Sequence, residues 1–381
     1  MSSVLDIANK LNKEFGSGTF LTKSDVIPQY RRLKSRAFGL SYPLFGGLPY
    51  GRICTFSGKQ HSGKSTAVFA AIADYQRENP TKTCLFVDVE HSLDLQFQVM
   101  MHGIDTTHLY VMEPEVGMSG EQILSAVMSI QLESDDIGLI AIDSVAALDT
   151  AQNLSSDFEK DNGKRATIAS ALHKFCKEIV ASLFKKGNIL ILVNQVRVSG
   201  TTFTGAPIYT EPGGDAPKYY SSVSVRFGTR SFMKGDEELK GENSGDGADG
   251  FKIKFVVTKN KTAPCNRGGG FITYRYVQGM DWLFDLLQIA VTFDFIHRVN
   301  NVTYELVNLE TGELYKSSDG KDLRGKKADL IKYIKDDIDF QNEYVSMLQN
   351  HISSDNTLKT ALLDDETSME IEQEENSIKE V

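Results

Sequence analysis

Cysteine is scarce in this chain, and the four present, Cys54, Cys84, Cys176 and Cys265, are scattered without CxxC or Cys/His spacing. That pattern excludes a disulfide framework and a structural zinc site, and it fits reduced thiols in a cytosol-like compartment. Long hydrophobic runs are missing as well. The most apolar stretches are strand-length and broken by Asp143 or Asn194, and the opening MSSVLDIANKLNKEF lacks the basic-then-apolar order of a secretory signal. A soluble, cytoplasmic protein without membrane contact is expected. Nor is there a basic excess: 41 basic against 51 acidic residues give a net charge of −10, which at first sight speaks against a nucleic-acid partner. The distribution of charge removes that objection. Eight acids between Asp364 and Glu380 against Lys379 place −7 in the last segment and leave −3 for everything before it, so the body is near neutral and only the tail is acidic. At 381 residues, with 41% hydrophobic and 24% charged residues, the chain buries an ordinary core. Wholly disordered, collagen-like and coiled-coil architectures are excluded.

What is present is alternation. After a short helical stretch with Val4, Ile7, Ala8 and Leu11 on one face and a glycine-punctuated FGSGTFL, short apolar runs alternate with amphipathic spans from about Ser41. The runs RICTFSG, TCLFVDVE, LYVME, IGLIAIDS and NILILVNQ are apolar at nearly every position, with helical spans such as GKSTAVFAAIADYQ, EQILSAVMSIQL and Arg165 to Lys186 among them. This is the pattern of a mostly parallel sheet covered by helices on both faces, an α/β fold. After Gln195 a long Gly/Thr/Pro-rich segment, Val196 to Pro217, reads as a loop without secondary structure, and SSVSVRFG, FKIKFVVTK and GFITYRYV then follow as period-2, antiparallel strands. KGDEELKGENSGDGADG reads as a mobile hairpin tip, and Trp282 to about His351 as a small α/β appendage with two or more helices and a hairpin around NLETGELY.

Gly58-Lys-Gln-His-Ser-Gly63-Lys64-Ser65 fits GxxxxGK[ST] in full, between a strand and a helix. Backbone N–H groups of such a loop turn inward on a triphosphate, and the helix N-terminus adds partial positive charge. Gly58, Lys59, Gln60, His61, Ser62, Gly63, Lys64, Ser65 and Thr66 are the candidate nucleotide-binding residues, with Lys64 on the β/γ-phosphates, Ser65 on Mg²⁺ and His61 as a spacer. Asp143, the one acid in an apolar strand, suits a carboxylate that holds Mg²⁺ through water. Asp88 and Glu90 stand at period-2 spacing at the end of another strand, and a glutamate there is able to orient the attacking water. For Asp88 and Asp94 the alternative is helix capping.

Together these residues resemble the RecA family of recombinases, including its phage UvsX-type members. NKEFGSGTF, GGLPYGR, GKQHSGKST, FVDVEHSLD, IAIDSVAAL, VNQVR, GGDAPKYY and VVTKNKTAP occur in the family's order between about Asn12 and about Trp282. The resemblance implies a RecA-type P-loop ATPase core that uses ATP and Mg²⁺, with Glu90 as the catalytic glutamate and Asp143 as the Mg²⁺-linked aspartate. It implies that Asp94 and Phe97 contact adenine, that Gln195 senses the γ-phosphate, and that Lys259 and Lys261 reach the nucleotide of the neighbouring subunit. Tyr276 matches a second aromatic against that adenine, or is a core aromatic.

A long loop directly after a phosphate sensor is suited to grip DNA. Arg197, Lys218 and the backbone of Gly213 and Gly214 are candidates for phosphate, and Val198, Phe203 or Ile208 for a wedge between bases. In the earlier loop, Ser155 to Arg165, Lys160, Lys164 and Arg165 are phosphate ligands or ordinary solvated charges. Phe20 lies in the segment that, by resemblance, adds to the next subunit's sheet and plugs a pocket there.

The expected organisation is an N-terminal helix and polymerisation arm (1–30), a RecA-like ATPase and DNA-binding core (31–282), a small C-terminal α/β domain (283–355) and an acidic tail (356–381). The function that follows is ATP-dependent strand exchange by helical filaments on single-stranded DNA paired with homologous duplex, with single-strand-binding and mediator proteins as further partners. A RecA-fold helicase or translocase and a nucleotide-gated, non-hydrolysing scaffold are the competing readings.

Overall fold

Strands apolar at every position need cover on both faces, and the sheet of this protein provides it. The computed structural model describes residues 4–15, 31–155, 168–201, 207–239, 245–263 and 268–354. Two units emerge, Met1–Arg31 and Arg32–Val381. The first holds helix α1 (Val4–Phe15), as its apolar spacing predicts, with Ile7 exposed on it.

In the second unit, β1 (Ile53–Gly58), α2 (Lys64–Glu78), β2 (Thr83–Asp88), α3 (Leu95–His102), β3 (Leu109–Met112), α4 (Gly120–Glu133), β4 (Ile137–Asp143), α5 (Ala169–Lys186) and β5 (Ile189–Gln195) follow in turn. The ribbon β6 (Arg197–Thr201) and β7 (Pro207–Thr210) comes next, then a short helix α6 (Ala216–Tyr220), β8 (Val223–Phe227), β9 (Ser231–Lys234), β10 (Gly250–Asn260) and β11 (Gly269–Arg275). The large sheet has the order β9-β10-β8-β1-β5-β4-β2-β3, with β11 also paired to β10. From β8 to β3 every pairing is parallel, whereas β8–β10 and β10–β11 are antiparallel, as their direct succession in sequence predicts.

Side chains alternate between the two faces. Cys54 and Phe56 of β1, and Leu139 and Ala141 of β4, join one core with Val68, Phe69 and Ile72 of α2. Ile53, Ile140 and Ile142 point the other way, onto Ile123 and Val127 of α4 and Leu172, Phe175 and Ile179 of α5. Helix α4 is fixed at its start by a capping box, Ser119 with Gln122, and α5 ends at Gly187 with φ of +72°.

Two segments differ from their expected form. The stretch after Gln195 is not structureless: β6 and β7 pair antiparallel, with Arg197 opposite Thr210 and Thr201 opposite Pro207. RVSGT and PIYT carry enough β-branched and aromatic residues to form strands, a signal hidden by the surrounding Gly and Pro. The polar insertion closes β9 onto Glu237–Glu238 through a Gly235-Asp236 turn; residues 240–244 of it lie outside the described residues.

The C-terminal elements are α7 (Trp282–Thr292), a three-stranded antiparallel sheet of β12 (Ile296–Arg298), β13 (Thr303–Leu306) and β14 (Arg324–Lys326), α8 (Lys327–Asp336) and α9 (Ile338–Ser354). The third strand was not legible in the sequence; the expected hairpin at NLETGELY is the bridge between Val307 and Leu314. Leu283, Leu286 and Leu287 of α7 and Leu330, Ile334, Tyr344 and Leu348 share one apolar core with Phe38, Tyr42, Val256 and Phe271. The expected boundary at 282/283 falls in the first turn of α7. A chain ending at Trp282 leaves Phe38, Tyr42, Val256 and Phe271 uncovered, so it is expected to aggregate on expression. The milder Leu287→Ala should cost about 3 kcal/mol in urea unfolding; wild-type stability of either variant contradicts this packing.

Candidate nucleotide-binding site

Four neighbouring parallel strands, β1, β5, β4 and β2, end at Gly58, Gln195, Asp143 and Asp88. In α/β sheets this carboxyl edge is where ligands bind. The loop from Gly58 to Gly63 leads into α2, whose N-cap, Gly63, has φ of +89° and offers no side-chain cap. The N–H groups of the first turn therefore keep their donor capacity for an anion. Both glycines are required. A Cβ on Gly58 would stand 2.5 Å from the Phe227 carbonyl oxygen and one on Gly63 2.4 Å from Ile253 Cδ1. Between them His61 is exposed at φ of +59°, and the buried Ser62 hydroxyl has no hydrogen-bond partner among the described residues. Lys64 is buried, and its Nζ donates to the Lys59 carbonyl at 2.7 Å. Burial lowers its pKa, and the nearby Asp143 and Glu90 oppose that shift.

The carboxylates divide the work. Ser65 Oγ donates to Asp143 Oδ2 at 2.5 Å. Burial pushes the Asp143 carboxyl up to about 6, with the Ser65 hydrogen bond pulling it down and the Glu90 charge adding to the rise. Glu90 lies past the end of β2 rather than on its face, so the period-2 pattern stops at Asp88. Glu90 Oε1 accepts from Gln195 Nε2 at 2.6 Å and also from the Ser144 hydroxyl. Asp88 instead accepts from the backbone N–H groups of Ser92 and Leu93, at 3.4 and 3.0 Å, and orders the turn that carries Glu90. Asp94 is the N-cap of α3, accepting from Phe97 N at 2.9 Å, and the Phe97 ring is half-buried against the core. Among the described residues no group of three or more His, Cys, Asp or Glu side chains is arranged to hold a metal ion, so a cation here would depend on a hydroxyl, a single carboxylate and the ligand's own oxygens.

A model of the RecA N-terminal domain matches residues 3–281. The protein RecA of Campylobacter lari is 30% identical over 368 residues, covering 95% of this chain and 97% of that protein. The chain belongs to the RecA family. The RecA protein of a Sulfurovum species is 30% identical over 356 residues (92% and 96% covered), and that of Colwellia psychrerythraea is 26% identical over 362 (94% of each).

The remaining RecA-like positions fall into three groups. Lys259 lies on β10 and Lys261 just past its end, and their ammonium groups converge on one carbonyl. Lys259 donates to the Lys218 and Tyr219 carbonyls and Lys261 to that of Tyr219 at 3.4 Å, all on α6. Burial and then the neighbouring Lys261 bring Lys259 down to about 8. Its strand register runs through Ser224 to Thr55, three residues before Gly58, roughly 10 Å along the strand from the protein's own phosphate loop. Tyr276 follows β11 and is 39% exposed, so it is not a core aromatic. Arg197, Val198 and Ile208 lie on the ribbon strands. Gly213 and Gly214, at φ of +91° and +73°, pack tightly against Leu172 and Ala169 of α5, and Lys218 Nζ stands 3.9 Å from Glu211 Oε2. Phe20, Lys160, Lys164, Arg165 and Phe203 lie outside the described residues.

Sequence reading passed over Asn194, Glu211 and Arg226. Asn194 was visible as a polar break in an apolar strand. A buried arginine on a strand gives no such signal.

Asp143 carries a testable cost. Its pKa is raised above that of an unfolded aspartate, so its contribution favours folding fully only below about pH 4 and is lost as pH rises through 6. Asp143→Asn should therefore be more stable than wild type at pH 7.5 without divalent cations, by roughly 2–3 kcal/mol in urea unfolding, with the gain gone near pH 4. A neutral-pH loss of stability in the variant contradicts this.

Proposed function

We propose that this RecA-family recombinase is a DNA-dependent ATPase that assembles in helical filaments on single-stranded DNA and exchanges strands with homologous duplex, in recombination and repair. The observation that carries the reading is the Gln195–Glu90 hydrogen bond, because Gln195 is the last residue of β5 and the ribbon begins at Arg197. A γ-phosphate oxygen would draw on the same side-chain amide, and the pull between it and Glu90 Oε1 sets the position of the strand end from which the ribbon springs.

The residues at the strand ends fit a nucleotide triphosphate with Mg²⁺. The uncapped turn of α2, the Ser62 hydroxyl, without a partner among the described residues, and the Lys64 ammonium supply donors for phosphate, and Ser65 with Asp143 supplies oxygens for the cation. Bound Mg²⁺ would neutralise charge on the terminal phosphates. Glu90, held through Oε1 by Gln195 and Ser144, keeps Oε2 to orient and polarise the attacking water. Asp94 and Phe97 at the start of α3 take the adenine, and Tyr276 packs on it from a neighbouring subunit. Lys259 and Lys261 complete the site in trans, which makes turnover depend on assembly through the arm and Phe20.

DNA is held through its backbone by Arg197, Lys218, Gly213, Gly214 and the earlier loop with Lys160, Lys164 and Arg165. An apolar residue of the segment after Gln195, Val198, Phe203 or Ile208, wedges between bases. The four-part division into arm, core, C-terminal domain and acidic tail is the matching functional division, the tail competing with DNA for basic surface. Single-strand-binding and mediator proteins are the further partners, and a cytoplasmic location goes with them.

Steady-state ATP hydrolysis with and without single-stranded DNA, beside strand exchange with homologous and non-homologous duplex, tests the reading. DNA should stimulate hydrolysis, exchange should require homology, and Glu90→Ala should cut turnover about 100-fold while nucleotide still binds. Duplex unwinding without homology would point to a translocase, and DNA coating without turnover to a scaffold.

A further inference from the structure

The base of the ribbon is fastened to the sheet by a buried ion pair that the phosphate chemistry does not use. Arg226 is 2% exposed, and its Nη2 donates to Glu211 Oε1 at 2.5 Å; the Glu211 side chain is itself 6% exposed. In the sheet Arg226 stands opposite Ser57, and Ser57 opposite Asn194, one row below Phe227, Gly58 and Gln195. Asn194 holds the next residue of the same stem, its Nδ2 donating to the Pro212 carbonyl at 2.9 Å while its Oδ1 accepts from Gln195 N at 3.0 Å. An unbroken chain of bonds therefore runs from Glu90 through Gln195, Asn194, Pro212 and Glu211 to Arg226.

On its other side Glu211 faces Lys218, whose carbonyl accepts from Lys259. The pair is also incomplete. Arg226 Nε and Nη1 are buried with no partner among the described residues, which is costly for a guanidinium whose fork is built for two parallel bonds to one carboxylate. A small shift of Glu211 would bring its second carboxylate oxygen to one of these donors and make the contact bidentate.

We propose that Glu211 and Arg226, with Asn194, form a clasp that positions the ribbon according to the nucleotide bound, joining the protein's own phosphate sensor to the helix end where Lys259 and Lys261 gather. These are positioning residues, and the inference rests on the DNA-binding reading given above. A buried ion pair adds little net stability over an apolar pair of similar volume. Replacing both partners therefore separates the two possible roles: the fold survives and the coupling does not.

The test compares single-strand affinity in a non-hydrolysable ATP analogue and in ADP for wild type, Arg226→Lys and the double variant Glu211→Gln/Arg226→Met. Wild type should bind at least tenfold more tightly with the analogue. The ratio should fall at least fivefold in the double variant and partly in Arg226→Lys, while nucleotide affinity stays within twofold. A wild-type ratio near one overturns the DNA-binding reading. A wild-type ratio that persists in the double variant overturns the clasp alone. Should the double variant fail to fold, amide exchange across residues 211–220 of the unmutated protein decides. Protection that differs between analogue and ADP supports the clasp, and identical protection overturns it.

Discussion

One side-chain amide and one carboxylate, Gln195 and Glu90, meet 2.6 Å apart at the carboxyl edge of the sheet. A hydrogen bond to a charged group contributes roughly 1.5–3 kcal/mol, and a phosphate oxygen makes one of similar strength to the same donor. The two acceptors are of the same chemical class, and each 1.4 kcal/mol of difference between them would move the equilibrium about tenfold. A contact of this kind is suited to be switched. On this view, the protein's work on DNA depends on that amide having two acceptors and on a ribbon that begins two residues beyond it.

The fold serves this contact by bringing together strands that are far apart in sequence. The order β1-β5-β4-β2 sets Gly58 beside Gln195 and, two strands on, Asp143 beside Asp88. Helices on both faces leave the strand ends as the place where polar groups gather over an apolar base. Burial there has a cost. Asp143 is pushed up to about 6 and Lys64 is pushed down, each by loss of solvent. Groups held so unfavourably are groups waiting for a counter-charge, and a triphosphate with its cation supplies both signs.

Much of this was legible in the residues. The apolar runs gave the strands because parallel strands buried on both faces have no polar alternation to hide, and Gly58 to Ser65 marked the phosphate loop because only glycine tolerates its close approaches. Partnership was harder to read. Spacing alone does not separate Asp88 from Glu90, which the family resemblance marks as catalytic, and the end of β2 between them sets one in the turn and the other against Gln195. The ribbon was hidden by its glycines and prolines, and the Glu211–Arg226 pair by a separation of fifteen residues that no local pattern spans. The shared core of Phe38 and Phe271 with α7 is likewise a tertiary fact. Sequence periodicity reports burial, not which buried face meets which.

The most direct measurement is single-strand affinity in wild type and Gln195→Ala, side by side, with a non-hydrolysable ATP analogue and with ADP. If the amide links phosphate to ribbon, wild type binds at least tenfold more tightly with the analogue, and the variant binds nucleotide normally but loses that difference. A variant that keeps the full difference would contradict the link.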